Sequence, residues 1–339
     1  MEHRGNGPSP QVSDGVQRTV RTPGRALRAM AAATTVGLFV VIVMGTLVTD
    51  TGSKLGCGRH WPLCHGRFLP GPALHTLVEF SHRFVAGIVG LMIVAMAVWA
   101  WRVAGRLPEV RWLAVIGIGF VVIQSLLGAA AVLWPESPAV LAVHFGVSLT
   151  DLAGVFLLAV VLFQLARPPA GTKGGGWRGR PAPPGLAAWA WFTLAYIYGL
   201  VYLGAYVAHT HAGLACGTWP LCNGMWIPPL RGATGLDFAH RLGALGAAAL
   251  CVWLIVLARR GRPERLDLYL GALWLSAAVG AQILSGALLV WSHLSTGTVV
   301  LHGSLVSLLF SVISYLCLQT LPASRPRPAQ VQPTPPGGY

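Results

Sequence analysis

Eight runs of mostly apolar residues, near positions 28–49, 81–102, 111–133, 139–166, 186–208, 238–259, 266–291 and 297–320, set the terms for any fold of this chain. A helix crosses the hydrocarbon core of a bilayer with about 20 such residues, so each run is long enough to span. The composition agrees, because 54% hydrophobic and 10% charged residues do not describe a soluble globular domain. The expected fold is an all-α polytopic membrane protein with eight transmembrane helices. The first run is too long for the apolar region of a cleaved signal peptide and matches a later helix, so it is read as retained.

The net charge of +14 admits nucleic acid or an anionic surface as partners, and the placement of the basic residues decides. With the N-terminus inside, 18 of the 24 Lys and Arg residues fall on the cytoplasmic side, and Lys54, Arg59, Arg67, Arg83, Arg231 and Arg241 fall outside. That is the positive-inside pattern. It predicts a multi-pass protein of the cell membrane with both termini cytoplasmic, the bilayer as its surroundings and no nucleic acid partner. Residues 1–24 and 321–339, rich in Pro, Gly and polar groups, read as disordered tails, and residues 167–185 as a flexible cytoplasmic linker.

The two halves of the chain repeat one another. Trp61/Trp219, Cys64/Cys222, Glu79/Asp237, His82/His240, Arg83/Arg241, Gln124/Gln282, Gly128/Gly286 and His144/His302 all share an offset of 158, and upstream Gly45/Gly204 and Cys57/Cys216 share 159. An even number of helices returns the chain to its starting side. Residues 25–166 and 186–320 therefore form two pseudo-symmetric four-helix bundles of one orientation, related by an axis along the membrane normal. His82 and His144 then start two helices that run inward from the outer face, at one depth, and so do His240 and His302.

Ionisable side chains within a bilayer are expensive and mark function by default. One such histidine is as readily a packed, hydrogen-bonded interface residue as a ligand. Four of them, in two pairs each 62 positions apart (82 to 144, 240 to 302), are read here as ligands. Zinc takes four close donors, whereas each pair offers two nitrogens from facing helices, the arrangement that grips a haem from both sides. Cys64-His65 lacks the upstream cysteine spacing of a covalent attachment motif, so the haem would be held non-covalently. Arg83 and Arg241, directly after a ligand in each half, are candidates for haem propionates, or for snorkelling to headgroups.

The loop GCGRHWPLCHG at 56–66 returns as ACGTWPLCNG at 215–224. On an oxidising face each cysteine pair can close a disulfide. Cys216–Cys222 reads as a staple. Cys57–Cys64, beside Trp61 and His65, can also exchange electrons with a partner thiol or a haem edge. Cys251 and Cys317 lie in helices and read as small buried apolar residues. Glu79 precedes His82 by three positions, which places both on one face if the helix starts early enough. A carboxyl there can pass protons or simply favour a helix start.

Taken together, GTLVTDTGSKLGCGRHWPLCHGRF, EFSHRFVAGI, QSLLGAAAV, LAVHFGVSL, LGAYVAHTHAGLACGTWPLCNG, FAHRLGAL, AQILSGALLV and LHGSL resemble the haem A synthase family, bacterial relatives of the mitochondrial Cox15 protein, over roughly residues 25–320. The resemblance implies that the C-terminal half holds haem b on His240 and His302, and that the N-terminal half takes the substrate haem O between His82 and His144. It further implies oxidation of a ring methyl of haem O to the formyl group of haem A, used in cytochrome oxidase assembly. Glu79 takes the place of the family's important glutamate, and Cys57 with Cys64 that of its electron-handling pair. Haem O synthase and a membrane electron carrier are the expected partners. A homo-oligomer stays open, because lipid-facing and partner-facing surfaces look alike in sequence. Lys54 and Asp151 depart from the family pattern, and Asp151 would change the polarity of the substrate pocket. The competing reading is a diheme b-type cytochrome that exchanges electrons with quinone; a transporter and a thiol oxidoreductase stand behind it.

Overall fold

The computed structural model describes residues 22–134, 137–167 and 180–322. Most of the two tails and the middle of the linker lie outside them. Eight α-helices follow in order: α1 (Arg25–Asp50), α2 (Leu74–Ala104), α3 (Pro108–Leu133), α4 (Pro138–Ala166), α5 (Leu186–His209), α6 (Gly232–Arg259), α7 (Leu266–Trp291) and α8 (Thr296–Thr320). A single 3₁₀ turn, Ser53–Leu55, follows α1, and no strand occurs among the described residues. All eight helices are long and apolar enough to cross a membrane. The shortest has 24 residues, about 36 Å at about 1.5 Å per residue, against a hydrocarbon core of roughly 30 Å.

Most helix bounds fall where hydropathy places them. α2 and α6 do not: they begin at Leu74 and Gly232 rather than near 81 and 238. Their added first turns mix polar and apolar side chains, with Thr76, Glu79 and Asp237 bonded to the disulfide loops, so apolar patterning passes over them. These turns bring Glu79 and Asp237 inside the helices. Pro108 and Pro138 open α3 and α4, where the missing N–H costs nothing. Ser137 caps α4 by accepting a hydrogen bond from the Val140 N–H. Gly52, at φ +68°, turns the chain off the end of α1 in a conformation that suits glycine.

Within each half, successive helices pack side by side, and the first closes on the fourth (α1 on α4, α5 on α8). The halves meet through α4 with α8, α4 with α5, and α1 with α8. Exchanging α1 with α5 and α4 with α8 maps this set onto itself, as a two-fold relation requires. α4 is the most buried helix and lies at the centre. The core is built of interdigitating Leu, Ile and Met residues, among them Ile93, Met96, Leu149, Leu162, Leu254, Leu275 and Ile313, with Ala31, Ala97, Ala100 and Ala104 between them. Small residues there let helix backbones approach closely, the main packing device where lipid is as apolar as the protein. At the end opposite the disulfide loops, buried Arg265 binds Asp267 and the carbonyls of Arg180 and Gln319. Gln319 in turn donates to Gln164 of α4.

Candidate functional site

Each of the four histidines rests against a glycine of the preceding helix. His82 of α2 lies over Gly45 of α1, His144 of α4 over Gly128 of α3, His240 of α6 over Gly204 of α5, and His302 of α8 over Gly286 of α7. A Cβ at these glycines would stand 3.2, 3.6, 2.6 and 3.5 Å, respectively, from the ring Cε1. The absence of a side chain is thus what lets each ring lie on its neighbour. The rings are half-buried. His82 and His144 lie close enough to interact electrostatically, as do His240 and His302. Both pairs expected from the sequence are therefore brought together, one within each half.

The ring nitrogens separate His302 from the other three. Nδ1 of His82, His144 and His240 is buried with no side-chain partner. His302 is held at both nitrogens. The Ser285 hydroxyl donates to the Gln282 carbonyl at 2.9 Å, so its oxygen accepts from His302 Nδ1–H at 2.8 Å. The Gln282 amide nitrogen donates to the His302 carbonyl at 3.2 Å and to Nε2 at 3.1 Å. This network assigns the proton to Nδ1 and the lone pair to Nε2, the form in which imidazole binds a metal, and the Gln282 amide occupies that lone pair where an iron would stand. At the equivalent places of the first half, Gln124 donates instead to Ser148 and to the His144 carbonyl, and Leu127 stands where Ser285 does. The His144 ring reaches only the Leu127 backbone, and no side chain holds its Nδ1.

Further along the same seam of α3 and α4, Val155 packs against Gly117. Asp151, between Ser148 and Val155 on this stripe, is only 2% exposed, and its Oδ1 has no partner. Leu309 occupies the matching place in α8. On the other side of α4, Thr150 donates to Tyr198, which pairs with Tyr202. The Tyr202 ring fills the notch at Gly146 and so joins α5 to α4 between the two histidine sites.

The loops above the histidines repeat in detail. Both cysteine pairs are bonded, Cys57 to Cys64 and Cys216 to Cys222, and Cys251 and Cys317 are free and buried. Both loops hold a cis Trp-Pro bond, Trp61-Pro62 and Trp219-Pro220. Beneath each loop sits a buried carboxylate. Glu79 accepts from the Cys57 N–H at 2.7 Å and pairs with Arg83, which donates to the His60 and Leu63 carbonyls. Asp237 accepts from the Cys216 N–H at 3.0 Å and pairs with Arg241, which donates to the Thr218 and Cys216 carbonyls. Arg83 and Arg241, candidates for propionates, are thus engaged with carboxylates and loop carbonyls. His65 binds the Gly56 carbonyl, whereas Asn223 bridges Gly217 and Ala215. A cleft of about 320 Å³ opens between the first loop (Arg59 to Leu63) and Ala129 and Leu133 of α3, beside the His144 seat.

Two imidazoles per half, reaching in from facing helices and flanked by apolar walls, fit an iron porphyrin gripped from both sides. Two donors are too few for a four-coordinate zinc site. Sequence reasoning passed over Ser285, Ser148 and the role of the four glycines. The signal for the glycines was present, since they are landmarks of the repeat. The signal for the serines is a mismatch between halves, Ser285 against Leu127 and Val306 against Ser148, one turn from a matched Gln pair.

Duplicated helix bundles with duplicated histidine pairs under duplicated disulfide loops define a class of polytopic membrane protein built from two like halves, each offering two imidazoles to a ligand. Within that class, residues 28–314 match the family COX15-CtaA, described as cytochrome oxidase assembly protein, and the chain belongs to it. It is 44% identical to the Heme A synthase of Symbiobacterium thermophilum over 301 residues, covering 89% of this chain and 97% of that one. It is 37% identical to that of Halalkalibacterium halodurans (87% and 97% covered) and 39% identical to that of Geobacillus kaustophilus (89% and 93% covered).

Proposed function

We propose that this chain is a haem A synthase, an oxidoreductase that converts a ring methyl group of haem O to a formyl group and so yields haem A for cytochrome oxidase. The observation that carries the reading is one histidine pair in each half, in a chain that is similar to Heme A synthases over nearly their whole length. His240 and His302 hold haem b; His82 and His144 take haem O. Haem b, when bound, supplies one-electron exchange with the substrate site.

The protein's own part is orientation and enclosure. The glycine seats fix the rings, and the helix walls keep water from the reacting methyl. Glu79 ties the Cys57 N–H to α2 three residues before His82, so the state of the first loop is felt at the substrate ligand. Cys57 and Cys64 are the pair for exchange with a thiol partner. Arg83 and Arg241 border the outer end of each site, where propionates would lie. The enzyme sits in the cell membrane with both termini cytoplasmic, receives haem O from haem O synthase and exchanges electrons with a membrane carrier.

The test is separation of haems from cells that make haem O, with and without the protein. Haem A in the expressing cells alone is the expected result. Unchanged haem O, with plain haem B at both sites of the purified protein, would replace the synthase by an electron-carrying cytochrome.

A further inference from the structure

The two iron sites have different jobs on the reading above: one keeps its haem, the other must release a product. The histidine pairs themselves do not explain this, since they match in position and in their glycine seats. The groups around them do. His302 is locked by a hydroxyl on Nδ1 whose own proton is committed to the Gln282 carbonyl. Ser285 is 2% exposed, so water does not compete for that bond. His144 has Leu127 in the same register, whose backbone but not side chain reaches the ring, and Ser148 draws the Gln124 amide away from it.

We infer that Ser285 and Leu127 are the positions that make the C-terminal site retentive and the N-terminal site exchanging; the inference rests on the assignment of His302 and His144 as iron ligands. A partner on the far nitrogen fixes the tautomer and ring angle and raises the basicity of the ligating nitrogen. Once the Gln282 amide turns off Nε2, His302 keeps one tautomer and one ring angle through its bond to Ser285. His144 can rotate about its side-chain bonds without breaking a hydrogen bond to another side chain, which lowers the cost of letting the product go. Ser285 is a positioning residue that acts through His302. The same logic makes Leu127→Ser a gain: a serine there can back-bond to the Gln124 carbonyl as Ser285 does to that of Gln282, and present its oxygen to His144 Nδ1.

The experiment is transfer of haem from the full-length, haem-loaded protein to excess apomyoglobin, followed by absorbance. The unsubstituted protein releases haem in a fast and a slow phase. Ser285→Leu should speed the slow phase by about 10- to 100-fold, the range for removal of a group that orients a metal ligand, with the fast phase unmoved. Leu127→Ser should slow the fast phase alone. Ser285→Ala, which removes only the hydroxyl, repeats the first test should the leucine variant fail to accumulate. An unaltered slow phase in the Ser285 variants, where His302→Ala abolishes it, overturns the inference and leaves the ligand assignment standing. An unaltered fast phase in Leu127→Ser also overturns it. A slow phase that survives His302→Ala removes the assignment itself.

Discussion

The two halves share helix order, glycine seats, disulfide loops and the carboxylate-arginine clamps beneath them, yet they differ in the polar groups one turn from the ligands. The C-terminal half pairs its last histidine with Ser285 and Gln282 and is otherwise apolar at Val306 and Leu309. The N-terminal half gives His144 Nδ1 no side-chain partner, and buries Ser148 and an unpaired Asp151 oxygen nearby. The repeat places the four histidines alike, and the groups beside them differ between the halves. A cofactor site gains from rigid ligands, whereas a substrate site gains from ligands that can yield.

The largest effect expected from breaking this comparison is at the ligands. His240→Ala or His302→Ala should lose the resident haem altogether, seen as loss of its absorbance in purified protein. His82→Ala or His144→Ala should keep that haem and abolish formation of haem A. If all four variants behave alike, the halves are not specialised.

Next come the clamps. Glu79→Ala and Asp237→Ala each strand an arginine and a buried cysteine N–H, at a cost of about 3 kcal/mol for removing one partner of a mostly buried pair, read from thermal melts. Only the Glu79 variant should also lose conversion beyond what its lowered stability explains. Equal loss in both would reduce Glu79 to a loop anchor.

The glycine seats sharpen the comparison as a graded series. Gly204→Ala, whose Cβ would stand 2.6 Å from the His240 ring, must displace that ring; Gly45→Ala, at 3.2 Å, shifts His82 by a few tenths of an ångström; Gly286→Ala and Gly128→Ala, at 3.5 and 3.6 Å, fit. Haem content should fall most for Gly204→Ala and stay near that of the unsubstituted protein for the last two. An effect of equal size at all four would point to helix packing rather than ring placement.

The smallest effect is at Asp151. Asp151→Leu copies Leu309 and removes a buried oxygen without a partner, so stability should rise by about 1 kcal/mol. A lower melting temperature would mean that this carboxyl holds a partner within the N-terminal half.

Much of this was legible in the sequence, for identifiable reasons. Apolar run length located eight helices because the bilayer fixes the length of a span. The repeat placed His82 with His144 and His240 with His302 because equal spacing on equivalent helices means equal depth. The early starts of α2 and α6 were not legible: their first turns face protein loops, where hydropathy carries no signal. Nor was the Ser285 network, which depends on a hydroxyl of α7 meeting a ring of α8 and shows in the sequence only as Ser against Leu. The clamps were half visible. Glu79 and Arg83 each stood out beside His82, but their pairing with one another and their hold on the Cys57 N–H and the loop carbonyls depend on how the loop folds back.

The central claim is that two histidine pairs hold two different haems, one in each half. A density map of the protein purified with haem b and loaded with haem O tests it most directly. The account predicts one iron between the rings of residues 240 and 302, ligated by Nε2 of His302, and haem O between those of 82 and 144. A porphyrin bound elsewhere, or haem O seated in the C-terminal half, would contradict it.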